Sequence, residues 1–200
     1  EWINLHYNGV LEVLYLMLCY DDVVADAAYF RDRIVPFAAE VLLWWEQHWP
    51  RDAAGRLRIG PAHAMETYRA VDNPSCDIAG LQACLDALTG RKAERIPADL
   101  RARWLALRAI LPELPVGDDG RLLPCEEPVP AASNVENPEL YAVFPFRRHG
   151  LGAGDLDCAR RTFAERAHRQ HYGWQQNGSF AAMVGDAEAA AADVLDRIDM

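Results

Sequence analysis

Three stretches of this chain set carboxylates beside aromatic rings and amides. They are Pro61-Ala62-His63-Ala64-Met65-Glu66-Thr67-Tyr68, the run from Ser133 to Tyr141, and Gly173-Trp174-Gln175-Gln176-Asn177. Sugar sites are built from this mixture: aromatic faces stack on the apolar faces of a pyranose, while carboxylates and amides bind its hydroxyls. Hydrolysis of a glycosidic bond needs, in addition, a proton donor for the leaving oxygen, and in inverting enzymes a base that activates water. Glu66 lies between Met65 and Tyr68, and apolar surroundings are what keep a carboxyl protonated for donation. Glu66 is therefore the expected catalytic residue. Tyr68, Glu136, Asn137, Glu139, Trp174 and Gln175 are the expected substrate contacts. Plainer readings compete. Glu66 would equally suit a surface connector, and Asn137 before Pro138 with an early Glu139 suits a helix start.

Other chemistries find less support. The six histidines show no HxxxH or HxH spacing, so no protein-built metal site is expected, and no cofactor. His168 and His171 stand three apart and read as surface or turn residues. No serine or cysteine sits in a GxSxG elbow, and no glycine run resembles a phosphate loop. The five cysteines are widely spaced without a CxxC pair, which fits reduced core residues better than a disulfide framework. Cys76 and Cys84 fall on one expected helix, about 12 Å apart, too far to bridge. Asn177-Gly178-Ser179 has the form of a glycosylation acceptor but falls in an expected helix. Trp44, Trp45 and Trp49 read as core rather than as a sugar platform. A net charge of −10 disfavours nucleic acid and anionic membrane as partners. A neutral oligosaccharide or polysaccharide is not repelled by it. No run of eighteen apolar residues would span a bilayer.

The elements that must position these residues are helical. Apolar residues recur with a period near 3.6 from Leu5 to Tyr20, with the helix proper expected from near Val10, and again from Ala27 to His48. Pro36 should kink or restart the second run. Further helices are expected from Ser75, as cap, to Thr89, from Pro97 to Leu111, and after Asn137. Others follow around Leu156 to Phe163, from Trp174 to Val184, and from an Asp186 cap to Ile198. Between them lie a long functional loop over 55–77, opened by a strand-like alternation at 56–59, and an irregular, hairpin-like region over 115–130 with an Asp119-Gly120 turn. The expected fold is all-α, one domain over residues 1–200, with alternating connections that suit part of an α/α toroid of helical hairpins. The chain opens at Glu1 and closes at Met200 inside helical patterns, which reads as an excerpt whose partner is the rest of a parent chain.

The segments HWPRDAAGRLRIGPAHAMETY, NPSCDIAGLQACLDAL, NVENPELYAVFPFRRHG and GWQQNGSFAAMVGD resemble a bacterial group of predicted glycoside hydrolases. That group is similar to the family 95 alpha-L-fucosidases, whose catalytic domain is an α/α six-hairpin toroid. The resemblance runs over nearly all of the chain and is weakest over 90–132. It implies an inverting glycoside hydrolase, with Glu66 in the place of the general acid that ends the family's Pro-Ser-x-Ser-Pro-Glu loop. Here that loop reads Pro61-Ala62-His63-Ala64-Met65-Glu66, without the serines and second proline. Leu140-Tyr141-Ala142-Val143-Phe144-Pro145 matches the family's Leu-Tyr-x-x-Tyr-Pro stretch. The His-Arg-His motif that precedes it there is replaced by Asn134-Val135-Glu136, so fucose specificity does not carry over. The family's water-activating residues have no counterpart in this chain. Two alternatives remain open: a family 65-like glycoside phosphorylase, and a non-enzymatic helical carbohydrate-binding or scaffold module. A polysaccharide-degrading role would suit a secreted or periplasmic parent; no signal pattern marks the compartment.

Overall fold

Helix α4 (Ser75–Thr89) is buried at every residue except Asp86 and Thr89, and the larger core is laid around it. A helix that is apolar or small on all sides belongs in a core. In the computed structural model, which describes residues 4–170 and 174–198, helix α1 (Asn8–Val24) packs along α4 through Leu11, Leu14 and Leu18. The approach is close because residue 80 is glycine. A Cβ there would lie 2.9 Å from the Phe146 ring and 3.0 Å from the Leu11 Cβ. Helix α5 (Ala98–Ala109) covers another flank with Trp104 and Leu107. The end of α1 is locked to the segment after α4: Lys92 Nζ lies 2.6 Å from both Asp21 and Asp22, and Arg95 also holds Asp21.

Between Ala27 and His48 the chain forms α2 (Ala27–Tyr29), a π turn (Phe30–Ile34) and α3 (Val35–His48). Pro36 lacks an N–H, and its ring crowds the carbonyl four residues back. The preceding turn widens, and the Val35 N–H reaches the Phe30 carbonyl. The expected restart at Pro36 takes this form.

The protein is mostly helical, in line with the expected fold class, and the long loop adds a small antiparallel sheet. Strand β1 (Ala62–Ala64) pairs with β2 (Tyr68–Val71), with Ala62 opposite Val71 and Ala64 opposite Tyr68. The alternation at 56–59 makes no strand. It contributes one bridge from Leu57 to Arg51, and the Ile59 N–H is taken by the Asn73 side chain at 2.9 Å. Strand β1 is buried at all three residues, so it has no period-2 pattern to read. In the second irregular region Val116 bridges Leu122 around Gly120, whose φ is +75, as the Asp119-Gly120 step predicts.

A smaller core of Leu140, Val143, Phe163, Phe180 and Val184 joins a 3-10 turn (Pro138–Ala142) to α6 (Leu156–Ala164) and α7 (Asn177–Val184). The turn serves both cores, since Tyr141 and Ala142 belong to the larger one. Helix α8 (Ala187–Ile198) packs on α7, and Asp186 caps its start by accepting the Ala189 N–H at 2.9 Å. Some expected boundaries move: α1 starts at Asn8 rather than near Val10, and α7 starts at Asn177 rather than Trp174. Ser75 does not cap α4. Its hydroxyl donates to the Pro124 and Pro138 carbonyls, tying the start of α4 to both later irregular stretches. The cysteines form no disulfide. Among the described residues no helix is long and apolar enough to cross a membrane.

Candidate active site

Glu66 sits in the turn between β1 and β2, after Met65, whose φ of +52 is left-handed. A β-carbon disfavours that conformation, and the surrounding packing must hold it; Met65 is buried in the larger core. A second segment, 133–136, grips this turn from 70 residues away. The Ser133 N–H donates to the Thr67 carbonyl at 2.7 Å. The Glu136 N–H donates to Thr67 Oγ1 at 3.0 Å, and the Thr67 hydroxyl donates back to Glu136 Oε2 at 3.2 Å. The same Glu136 oxygen accepts the Glu66 N–H at 2.9 Å. Asn134 Nδ2 donates to Glu66 Oε2 at 3.0 Å, while Asn134 Oδ1 accepts the Val135 N–H. The half-buried Glu66 carboxyl is thus oriented by an amide, and a second carboxyl holds its backbone.

Buried and half-buried carboxyls gather around this pair. Burial pushes the Glu136 carboxyl up; the Glu66 N–H and the Thr67 hydroxyl offset this, and the Glu66 charge adds to it. Burial also raises Glu12, on α1, with the Glu136 charge adding to it. Burial raises Asp77 to about 8, with the Asn8 amide opposing and the Glu12 charge reinforcing the shift. Asn8 and Asp77 are both fully enclosed, and neither side chain completes a well-formed hydrogen bond. On the other flank, burial lowers His6, whose ring also feels the charge of Glu66 and of His63. Leu5 accepts the His63 N–H at 2.8 Å, and His63 Nδ1 accepts the Ala70 N–H at 3.0 Å.

The expected contacts divide into two groups. Glu136, Asn137, Trp174 and Gln175 meet around a small cavity of about 20 Å³, completed by Tyr141, Gln176 and Phe180. That is room for one water or one hydroxyl. Trp174 is exposed. Asn137 and Gln175 frame this cavity with amides already engaged. Asn137 exchanges two hydrogen bonds with the His168 backbone and makes no helix cap. Gln175 bonds the Val135 carbonyl at 2.6 Å and Asn177 at 3.0 Å. Glu139 and Tyr68 do not line this cavity. They are buried together beside Cys125: burial raises Glu139 to about 7, and burial with the Glu139 charge raises Tyr68 to about 12. His171 and Gly173 lie outside the described residues. Asn177, buried and bonded to Arg166 and Gln175, is a helix-start anchor rather than an exposed glycosylation acceptor.

Sequence reasoning missed Asn8, Glu12, Thr67 and Asp77. One signal was available: Asn8, Glu12 and Tyr15 recur at helical spacing on one side of α1, an unusual set of polar groups beside a leucine face. The tryptophans also divide. Trp45 and Trp49 are core, at 0% and 7% exposure, but Trp44 is 38% exposed. Among the described residues no group of three or more His, Cys, Asp or Glu could hold a metal ion. In comparisons with known proteins, no family model matches this chain and no curated protein does.

Proposed function

We propose that this chain is part of the catalytic α/α toroid of an inverting glycoside hydrolase, with Glu66 as the general acid. The observation that carries this reading is the grip of 133–136 on the Glu66 turn, which orients one carboxyl through Asn134 and places a second, Glu136, against its backbone. In the reaction, Glu66 gives its proton to the leaving oxygen as the bond to the anomeric carbon breaks. In the same displacement water attacks the anomeric carbon from the opposite face and passes its proton to a base supplied by the rest of the parent chain. In this reading Glu136 would bind a sugar hydroxyl and the exposed Trp174 would stack on an apolar sugar face; both line one small cavity. Exposed apolar residues along α1, namely Val13, Leu16, Tyr20 and Val23, and on α8, namely Val194, Leu195 and Ile198, are faces that neighbouring hairpins would cover in a toroid. The phosphorylase alternative would draw on Arg58 and Arg69 near the hairpin; Arg58 is paired with Asp72 at 2.6 Å, Arg69 is exposed on β2, and the phosphate arm of the test below separates the two readings.

The test is Glu66→Gln beside wild type in the full chain, on a panel of aryl and natural glycosides with and without phosphate. The substitution keeps shape and removes the transferable proton. Cleavage slower by about two orders of magnitude, with an unchanged melting temperature, supports the acid role. Equal cleavage by both makes Glu66 structural. No cleavage by either moves the non-enzymatic binding module to the front.

A further inference from the structure

We propose that the groove between the start of α1 and α3 is a subsite for a neutral pyranose ring of the substrate, adjoining Glu66; this rests on the glycoside reading above. The groove has a volume of about 480 Å³ and is lined by His6, Tyr7, Val10, Glu40, Trp44 and Trp45, with Gly9 and Val41 beside them. Trp44 is the tryptophan of its cluster that reaches solvent. Its indole is stacked on His48 at 4.1 Å between centroids and 22° between planes, and Tyr7 leans on it at 5.2 Å. A ring braced in this way offers a preset surface for the C–H face of a sugar, with little ordering left to do on binding. Glu40 and His6 at the same groove supply an acceptor and an imidazole for hydroxyls, groups that an apolar helix seated there would leave unpaired. The overall charge of −10 and the Glu40 carboxylate favour a neutral ring over an anionic one. His6, on the wall of the groove, feels the charge of Glu66. Leu5, next to His6, accepts the N–H of His63 in β1, and β1 leads directly into the Glu66 turn.

Trp44→Ala, Trp44→Phe and Glu66→Gln are compared with wild type in the full chain. Binding is followed by saturation-transfer NMR titration with a panel of neutral methyl pyranosides, and steady-state kinetics are measured on any glycoside that wild type cleaves. The expected result is a pyranoside whose affinity falls about tenfold in Trp44→Ala, falls less than about threefold in Trp44→Phe, and holds in Glu66→Gln. On a cleaved substrate the Trp44→Ala loss appears mainly in KM. Unchanged binding and KM in Trp44→Ala overturn the subsite even where Glu66→Gln abolishes cleavage. Trp44-dependent binding with no cleavage of any glycoside upholds the subsite and sinks the hydrolase reading. Wild type that binds no pyranoside, or a groove that takes only an apolar helical peptide, overturns the subsite.

Discussion

Asp77 packs a carboxyl into the α1–α4 contact without a well-formed hydrogen bond to either oxygen. Its folded pKa of about 8 stands above the ordinary Asp value of about 3.9. The native state therefore keeps a proton that the unfolded chain gives up. Its stabilising contribution is complete below about pH 4 and is lost progressively as pH rises through about 8. Glu139, raised to about 7, acts in the same direction. Denaturant melts from pH 5 to pH 8 should show wild-type stability falling, and Asp77→Asn should flatten the slope by up to about 1.4 kcal/mol per pH unit. An unchanged slope would mean that Asp77 is ionised in the fold. This buried acid was not legible in the sequence, because an aspartate two residues into a helix reads as ordinary first-turn chemistry. Glu66 and Glu136 were legible as candidates from their aromatic and amide neighbours. Their hydrogen bond was not, since it joins two loops far apart in the chain.

Helix α4 depends on the absence of a side chain at residue 80. Gly80→Ala would improve helix propensity by up to about 1 kcal/mol, but its methyl meets the Phe146 ring and Leu11 at or inside 3.0 Å. Overpacking outweighs propensity in a close-packed core, so a net loss of about 1–3 kcal/mol is expected in thermal melts. A stabilised variant would mean that α1 can shift freely on α4. Most helices were readable at this scale, since periodicity, Pro36 and the Asp186 cap each carry a local cause. The β1–β2 sheet was hidden for an equally physical reason. Its strands are short, β1 is buried on both faces, and the turn needs a left-handed Met65 that no turn residue announces. The ion lock at the end of α1 was likewise invisible. Burial alone would raise Asp21, but the hydrogen bonds from Arg95 and Lys92 prevail and hold its carboxyl low. That support is present above about pH 4 and fades as pH falls through the lowered value.

The apolar stripe of α1 separates the toroid reading from a free-standing bundle. Leu16, 63% exposed, faces solvent in this chain but a neighbouring hairpin in a toroid. Leu16→Glu should leave the 200-residue chain within about 0.5 kcal/mol of wild type. In a longer parent it should cost about 2 kcal/mol or more, by burying an unpaired carboxylate. Equal tolerance in both would count against the toroid. The whole molecule has one further consequence, from the grip of 133–136 on residues 66–67. The stretch 126–133 that precedes it is exposed at every residue, while its ends are anchored by the Glu126 N–H to Asp72 and the Ser133 N–H to Thr67. A single elastase cut at Ala131-Ala132 should therefore leave two pieces that stay together, each carrying one of the two carboxyls. The candidate site would then become a property of reassociation. Separately produced 1–131 and 132–200 should regain the melting transition on mixing, and dilution alone should take it away.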